Sequence, residues 1–334
     1  MNIKRGLIVD SAYLIHRTLH VKELSELSDS QGRKTGAIFQ VIRSMIMELE
    51  NHKGYFPVFC FDHHQSERRL KLYPNYKHNL DRIVKLEEAK SNPVVAMEVA
   101  ESNEYVENYH RQREVIIQIL HALGIPCLFF ENWEGDDLMY ICTKLIPDSI
   151  IMTDDKDLIQ LLSPSVKISR PMAREVLIYE EYQKENQDPD MKRFVIEKAI
   201  TGDVSDNIPS VCKGCGKKAA EEIAKIMVEN PDNWKEILVN HKLKKIRNFV
   251  SEENINSLGD KTPMNQFNIN LELIDLSRVE ITSMIENQIL GELNSIHRPD
   301  FFKVAKYFRE YEIKEIDSNS LVRVLTELFD SLEK

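Results

Sequence analysis

Short apolar segments recur through the first half of the chain, and most of them end in or precede acidic residues. The segments are RGLIVD (5–10), FPVFCFD (56–62), IPCLFF (125–130), SIIMTD (149–154) and VKISR (166–170). Their length and apolar character predict strands that are buried on both faces. Residues 36–51, 115–124 and 138–146 have apolar positions three and four apart, which predicts helices between the strands. Strands that alternate with helices predict a parallel sheet covered by helices on both faces.

Acidic residues stand where these predicted strands end. The residues concerned are Asp10, Asp62, Glu134, Asp136, Asp137 and Asp155. In open α/β sheets the carboxyl ends of the strands meet at one edge, and ligand sites lie there. Carboxylates that are crowded together and partly buried repel one another unless a positive charge neutralises them. The sequence therefore predicts an acidic site that holds metal ions.

Residues 63–113 form a long polar segment without a strand pattern. Between Gln65 and Lys90 it carries seven basic and four acidic residues, with two tyrosines among them. A solvated helical insertion accounts for most of these charges. A basic and partly aromatic element beside an acidic site would also suit contacts with phosphates and nucleobases. We expect that second role for a few residues, with Arg68 and Arg69 as candidates.

Six segments occur in a fixed order: LIVD, VFCFD, YK, EGDD, TDDKDLIQLL and GDVSDNIPSVCKGCGKKAA. Their order and spacing over about residues 5–225 resemble the flap endonuclease and 5′-to-3′ exonuclease family, in particular its bacterial and phage branch. The resemblance implies a PIN-like α/β nuclease core at residues 1–185, in which residues 63–113 form a helical arch. It also implies a mostly helical region at residues 186–334 that contains a helix–three-turn–helix DNA-binding motif.

The family core holds two divalent cations, usually Mg²⁺. Carried over position by position, the resemblance implies nine carboxylate ligands: Asp10, Asp62, Glu134, Asp136, Asp137, Asp155, Asp157, Asp203 and Asp206. Oxygen ligands without a histidine cluster favour Mg²⁺ or Mn²⁺ over Zn²⁺. The spacing of Asp203 and Asp206 predicts that both lie on one side of a helical turn. Capping of that turn is an alternative role for Asp206.

The resemblance also implies residues that contact the cut strand. Lys77 matches a lysine that reaches the scissile phosphate. Tyr76 matches an aromatic residue that stacks on the terminal base, and Arg17 matches a basic position near the 5′ end. Leu80 stands where the family often has a second arch arginine. We predict that Arg82 substitutes for it.

A glycine-containing hairpin follows the acidic GDVSDNIP segment. Gly214 and Gly216 would allow backbone N–H groups to meet a phosphate of duplex DNA, and Lys217 and Lys218 would add positive charge. In the family this loop often binds a K⁺ ion. Ser210 replaces a usual glycine here, so the loop is expected to bind duplex less tightly or in an altered shape.

The function that the resemblance implies is that of a structure-specific 5′ nuclease. Such a hydrolase cuts phosphodiester bonds in DNA or RNA-primed DNA by a two-metal mechanism and removes replication primers, with RNase H activity on RNA–DNA hybrids. We expect a monomer that binds DNA with 5′ flaps or ends, with replication proteins as further partners. A PIN-type ribonuclease and a catalytically silent DNA-binding accessory protein of replication are the alternatives.

The bulk properties agree with an intracellular nuclease. The formal charge of −10 argues at first against a nucleic-acid partner, but without the nine predicted ligands the chain is close to neutral. No apolar run could span a membrane, and the N-terminus lacks a signal-peptide cleavage site. We expect a cytoplasmic protein of a bacterium or a phage-infected host. Five scattered cysteines predict reduced thiols, although Cys212 and Cys215 have the spacing of half a zinc site.

Overall fold

The computed structural model describes residues 3–78, 80–186, 191–211, 215–250 and 262–332, and it describes no side chains at residues 80–83. Within these ranges a single sheet is formed by β1 (Arg5–Asp10), β2 (Phe56–Cys60), β3 (Cys127–Leu128), β4 (Asp148–Met152), β5 (Val166–Arg170) and β6 (Glu175–Leu177). The strand order is β3-β2-β1-β4-β5-β6. Strands β1 to β5 are parallel, and β6 is antiparallel to β5.

Helices connect and cover these strands. The first half of the chain contains α1 (Ser11–His20), α2 (Lys22–Ser25), α3 (Gly36–Asn51), α4 (Glu67–Leu72), α5 (Leu80–Glu88), α6 (Pro93–Ala122), α7 (Gly135–Leu145) and α8 (Tyr179–Asn186). The second half contains α9 (Lys192–Thr201), α10 (Lys217–Glu229), α11 (Trp234–Val239), α12 (Lys244–Val250), α13 (Pro263–Ile274), α14 (Ser283–Asn294), α15 (Phe301–Glu310) and α16 (Ser318–Leu332). Short 3₁₀ helices occupy Lys156–Leu161 and Leu276–Arg278.

The predicted α/β class is confirmed, and all five predicted strands are present, although some are shorter than their apolar segments. Strand β6 was not predicted, because its three residues are exposed or half-buried and carry no apolar pattern. The predicted helix at residues 115–124 is the last part of the 30-residue helix α6. Gly124 ends this segment at φ +73°, where a Cβ atom would lie 1.8 Å from the carbonyl oxygen of His297. A glycine is therefore required there.

Two buried hydrophobic clusters organise the described residues. The larger one joins the sheet to the C-terminal helices, as in the edge-to-face contact of Phe56 and Phe329 with ring centroids 5.3 Å apart. Helix α16 thus docks on the larger cluster through its apolar face. The smaller cluster is built mainly from α9, α10, α12 and α13, and it includes the ring of Tyr76. The base of the polar 63–113 segment is therefore held by the second half of the chain.

Two further features bear on the sequence predictions. Cys60, Cys127 and Cys142 are free and buried, as expected for reduced thiols. The expectation is wrong for Cys215, which is disulfide-bonded. Among the described residues, no helix is both long and apolar enough to cross a membrane.

Candidate active site

The carboxyl edge of the sheet positions the first acids. Asp10 is the last residue of β1 and caps α1: its Oδ1 accepts the N–H of Tyr13 at 2.9 Å. Its Oδ2 accepts the hydroxyl of Thr153, which follows β4, at 2.8 Å. The neighbouring strand β2 leads to Asp62, whose Oδ1 accepts the N–H of Gly135 at 2.5 Å. A side chain at Gly135 would crowd this carboxylate, since a Cβ atom would lie 3.1 Å from it.

Four carboxylates interact electrostatically at this edge, namely Asp10, Asp62, Asp136 and Asp155. Burial raises the pKa of Asp10 from its ordinary value of 3.8 to about 7, and the charges of Asp62 and Asp155 add to the shift. Burial also raises the pKa of Asp136 well above its ordinary value, and the other three acids contribute. We call these residues the four-acid group. Its members come from three strand ends and a helix N-terminus, and the group lacks positive charge of its own.

The raised pKa of Asp10 makes a prediction about stability. Between about pH 4 and pH 7 the folded protein holds a proton that the unfolded chain has lost, so the metal-free protein loses stability as the pH rises through this range. In EDTA, Asp10→Asn is therefore expected to raise the free energy of unfolding by about 2–4 kcal/mol at pH 8 and by almost nothing at pH 4. Urea denaturation measures both values. An equal effect at both pH values would contradict the assignment, and Asp232→Asn is a matched control at an exposed acid.

Glu134, the residue before α7, is held by four donors. Its Oε1 accepts the N–H of Ser66 at 3.0 Å. Its Oε2 accepts from Arg69 at 3.2 Å, from the Tyr76 hydroxyl at 2.9 Å and from the Lys77 ammonium at 3.0 Å. Burial opposes the charge of Glu134, but Lys77 and Arg69 outweigh it and lower the pKa of this carboxyl. Glu134 therefore anchors the base of the 63–113 segment in this structure.

Asp137 is paired with a basic residue, whereas its neighbour Asp136 lies among other acids. Both of its oxygens bind Arg69, at 2.7 and 2.9 Å. Arg69 also donates to the carbonyl oxygen of Leu273 at 2.9 Å, and it is only 3% exposed. The guanidinium thus joins α4, α7 and the end of α13 in a buried ion-pair network. In this conformation neither Arg69 nor Asp137 is accessible to DNA or to a metal ion.

Asp157 and Asp203 meet at a lysine that the sequence did not single out. Lys198, on α9, binds Asp203 Oδ2 at 2.7 Å and also contacts Asp157 Oδ2. Burial opposes the charge of Asp203, but hydrogen bonds from Lys198 and Ser205 outweigh it and lower the pKa of Asp203. Lys198 stands five residues before Asp203, and a lone lysine in a polar helix carries no recognisable motif. The separation of five residues from Asp203 was the one feature of the sequence that could have pointed to Lys198.

The GDVSDNIP segment forms a turn rather than a helix. An antiparallel bridge between Asp203 and Ile208 closes it, and Asp203 accepts the N–H groups of Ser205 and Asp206. Capping of the turn therefore falls to Asp203, although capping by Asp206 had been considered. The carbonyl oxygen of Asp206 accepts the N–H of Lys77 at 2.9 Å, which fixes Lys77 beside the acids.

Most of the remaining predicted residues belong to the described part of the chain. Arg17 donates to the Tyr13 hydroxyl at 3.2 Å, and Arg68 donates to the carbonyl oxygen of Glu272 at 2.8 Å. Tyr76 is 2% exposed, so its ring is not accessible to a base in this conformation. Only the second part of the predicted hairpin belongs to the described residues. Gly214 lies outside the described residues, whereas Gly216 caps α10, and Lys217 and Lys218 are exposed in its first turn. The side chain of Arg82 also lies outside the described part of the chain.

The described residues contain no group of three or more His, Cys, Asp or Glu side chains already arranged around a cation. Basic side chains lie against several of the acids. The ammonium of Lys198 joins Asp157 and Asp203, and that of Lys77 binds Glu134. An ammonium that joins two carboxylates marks a position where positive charge is favourable. The donor set is entirely carboxylate oxygen, which fits hard cations such as Mg²⁺ and Mn²⁺.

Residues 5–190 match the model of the family described as 5′-3′ exonuclease, N-terminal resolvase-like domain. The chain belongs to this 5′-3′ exonuclease family. A curated relative, the 5′-3′ exonuclease of Aquifex aeolicus, is 26% identical over 327 residues, and the match covers 94% of each chain. The prediction of an enzyme of the 5′-nuclease class, a hydrolase, is confirmed at the level of this family.

Other relatives are longer than the matched region. The thermostable DNA polymerase I of Thermus aquaticus is 28% identical over 223 residues, which cover 66% of this chain and 23% of the polymerase.

Solved structures agree with the fold. A zinc-bound T5 5′-exonuclease superposes with a TM-score of 0.59 at 19% identity, covering 96% of this chain and 99% of the other. Flap endonuclease-1 of Methanococcus jannaschii gives 0.55 at 15% identity, covering 99% and 93%. These similarities support the PIN-like nuclease fold that the sequence predicted.

Proposed function

We propose that this 5′-3′ exonuclease family member is a divalent-metal-dependent, structure-specific 5′ nuclease. It cleaves phosphodiester bonds at 5′ flaps and 5′ ends of DNA or RNA-primed DNA by a two-metal mechanism, and it serves in primer removal during replication. One observation carries the proposal. Asp10, Asp62, Asp136 and Asp155 are far apart in sequence, yet they come together at a single edge of the sheet. There the charges of Asp62 and Asp155 add to the raised pKa of Asp10, and the charges of all three add to the raised pKa of Asp136.

Carboxylates from the predicted set of nine would supply the chemistry that this reaction needs. Two Mg²⁺ or Mn²⁺ ions, when bound, would activate water and stabilise negative charge on the phosphate and the leaving oxygen. Burial and mutual repulsion raise the pKa of Asp136 although the charge of Lys77 lowers it, so the four-acid group favours cations. Asp157 and Asp203 already bind one positive charge together. Glu134 and Asp137 instead hold the base of the 63–113 segment in this conformation. Because they flank Asp136 at the start of α7, they would help to position this metal ligand.

Basic residues of the chain would act on the substrate phosphates. Lys77 lies beside the acids, and its ammonium can stabilise charge that develops on the scissile phosphate. Arg17 is oriented by the Tyr13 hydroxyl, which itself donates to Asp154 at 2.5 Å. Lys217 and Lys218 begin α10, where the helix N-terminus attracts phosphate. We assign these two lysines to duplex DNA, with K⁺ at the adjoining loop.

The arch and domain assignments are part of the same proposal. Residues 1–185 form the nuclease core, residues 63–113 form the arch, and residues 186–334 form the region that contains the helix–three-turn–helix motif. A structural relative, the bacteriophage T5 D15 flap endonuclease, has been crystallised with DNA and metal ions. This supports DNA as the partner here, with RNA–DNA hybrids and replication proteins as further candidates.

A nuclease assay tests the proposed function. Flap, nicked and RNA-primed duplexes are incubated with the protein in Mg²⁺ or in EDTA, and the products are mapped. The proposal predicts Mg²⁺-dependent cleavage near the junction with short products that carry 5′ phosphates. Cleavage of single-stranded RNA alone would indicate a PIN-type ribonuclease. Tight binding without any cleavage would indicate the silent DNA-binding alternative.

Lys77→Ala separates catalysis from binding. Because its ammonium lies at the acids rather than on an exposed face, we expect turnover to fall by about 100-fold. The Kd for a flap duplex in Ca²⁺ should change less than about threefold, because one partly solvated ion pair contributes little to affinity. Lys71→Ala, in the same segment but paired only with Glu67 on the surface, should change neither value. Equal losses in turnover and affinity would contradict this role of Lys77.

Blocking the 5′ end tests the arch. If the single strand passes through or is clamped by residues 63–113, a bulky 5′ group such as biotin–streptavidin should abolish cleavage. Substrate to which the block is added after the enzyme has bound should still be cut. Undiminished cleavage in the first arrangement would exclude threading.

A further inference from the structure

Lys198 forms ion pairs with two carboxylates at once, beside the proposed site. Its ammonium joins two carboxylates from separate parts of the chain: Asp157, in the 3₁₀ helix after β4, and Asp203, in the turn after α9. The side chain of Lys198 is 17% exposed, and that of Asp203 is 14% exposed. Pairs this well shielded from water interact more strongly than surface pairs. The two carboxylates therefore share one positive charge that α9 supplies.

Space for movement lies next to this lysine. Lys198 and Asp157 line a cavity of about 760 Å³ that extends to Gly216 and Lys217 at the start of α10. Lysine has a flexible four-carbon stem, so its ammonium can move by several ångströms without a change in the backbone. The cavity thus connects Lys198 and Asp157 to the surface where a duplex phosphate is expected.

We propose that Lys198 is a resident counter-ion that a divalent cation displaces. The proposal rests on the proposed function, since it assumes that Asp157 and Asp203 bind one of the two cations. Because an ammonium and a divalent cation repel each other, both cannot lie between the same two carboxylates. When the cation binds, the Lys198 ammonium moves into the adjoining cavity and becomes available to a substrate phosphate.

This exchange links two binding events through one side chain. Without metal, Lys198 neutralises the carboxylates and is not available to DNA. With metal, it adds a positive charge to the face that receives the substrate. Metal binding and DNA binding are therefore expected to favour each other, and the coupling is reciprocal by thermodynamic linkage. Removal of the lysine should shift the two affinities in opposite directions.

Lys198→Met keeps the length of the stem and removes the charge. Binding of Mn²⁺ to the full-length protein is measured by electron paramagnetic resonance, which counts the free ion. We expect the weaker-binding Mn²⁺ ion to bind about tenfold more tightly in the variant, because the positively charged ammonium no longer competes for the two carboxylates. Affinity for a 5′-flap duplex in Ca²⁺, with the substrate verified as uncut, should fall several-fold.

Lys156→Met is the matched control. Lys156 lines the same cavity and is adjacent in sequence to Asp155 and Asp157, but it is exposed. We expect its loss to leave Mn²⁺ affinity within about twofold of the original, as for a screened surface charge. If Lys198→Met leaves Mn²⁺ affinity unchanged or weakens it, the proposal is overturned. Parallel losses of both affinities would also overturn it, since they indicate a merely structural role.

Failure of the proposed function would give a different result. If the original protein itself binds no Mn²⁺, or binds it unchanged after Asp155→Asn, the carboxylates are not metal ligands, and both proposals are overturned. If Asp155→Asn abolishes Mn²⁺ binding while Lys198→Met has no effect, the proposed function stands and the counter-ion role is excluded.

Discussion

Asp136→Asn is expected to lower turnover on a flap substrate by at least about a thousandfold. Asp136 lies in the first turn of α7 and interacts with Asp10, Asp62 and Asp155, so its charge is central to the group that would hold metal. A catalytic cation contributes several kcal/mol to stabilisation of the transition state. A loss of about 4 kcal/mol corresponds to about a thousandfold in rate. The amide keeps the shape of the side chain and removes its charge.

The same variant should remain folded and bind DNA. Burial raises the pKa of Asp136, so the charge itself is unfavourable in the metal-free protein. Its removal is expected to maintain or increase stability in EDTA. Single-turnover kinetics give the rate, and a flap duplex in Ca²⁺ gives the affinity. Asp232→Asn, at an exposed acid, is the control. Wild-type turnover in Asp136→Asn would show that the site has been assigned to the wrong residues.

Arg69→Met is expected to lower the free energy of unfolding by about 3–5 kcal/mol, the cost of leaving a buried partner charge uncompensated. Arg69 is 3% exposed, and its guanidinium serves Asp137, Glu134 and the carbonyl oxygen of Leu273. Methionine fills much of the volume but removes the hydrogen bonds that Arg69 donates to Asp137 and to the carbonyl oxygen of Leu273. Urea denaturation of the metal-free protein at pH 7 measures the loss.

Two further variants define the cause. Arg68→Met removes a neighbouring guanidinium that is half-buried and bonded to the carbonyl oxygen of Glu272, so it should cost clearly less. The double variant Arg69→Met/Asp137→Leu should recover part of the loss, because the unpaired carboxylate is removed together with its partner. A change below about 1 kcal/mol in Arg69→Met would place this ion pair among weak surface pairs.

The sequence predicted the fold best where the same residue pattern, an apolar segment followed by an acid, occurs several times. Buried parallel strands require continuous apolar residues, so five strands could be predicted and were found near their expected positions. The position of Asp10 and Asp62 at strand ends followed from the same pattern. Strand β6 could not be predicted, since it is short, exposed and pairs only at the edge of the sheet.

The roles of individual charges were less accessible. Asp136 and Asp137 are adjacent and identical in type, and only the fold distinguishes them: Asp136 interacts with other acids, whereas Asp137 is paired with Arg69. The sequence predicts Arg69 as a nucleic-acid contact together with Arg68, because a count of charges contains no information about burial; Arg69 is buried against Asp137. Lys198 belongs to no recognisable motif. It contacts Asp157, about 40 residues before it, and Asp203, five residues after it, and only the fold brings the three together.

Anomalous scattering from Mn²⁺-loaded crystals is the most direct test of the central claim that acids from separate strand ends together bind two cations. The account predicts two strong peaks about 4 Å apart, within coordination distance of Asp10, Asp136 and Asp155 and of Asp157 and Asp203. It also predicts that Lys198 has left the two carboxylates that it joins in the metal-free protein. Absence of peaks at this edge of the sheet, under conditions in which the enzyme cleaves DNA, would contradict the account.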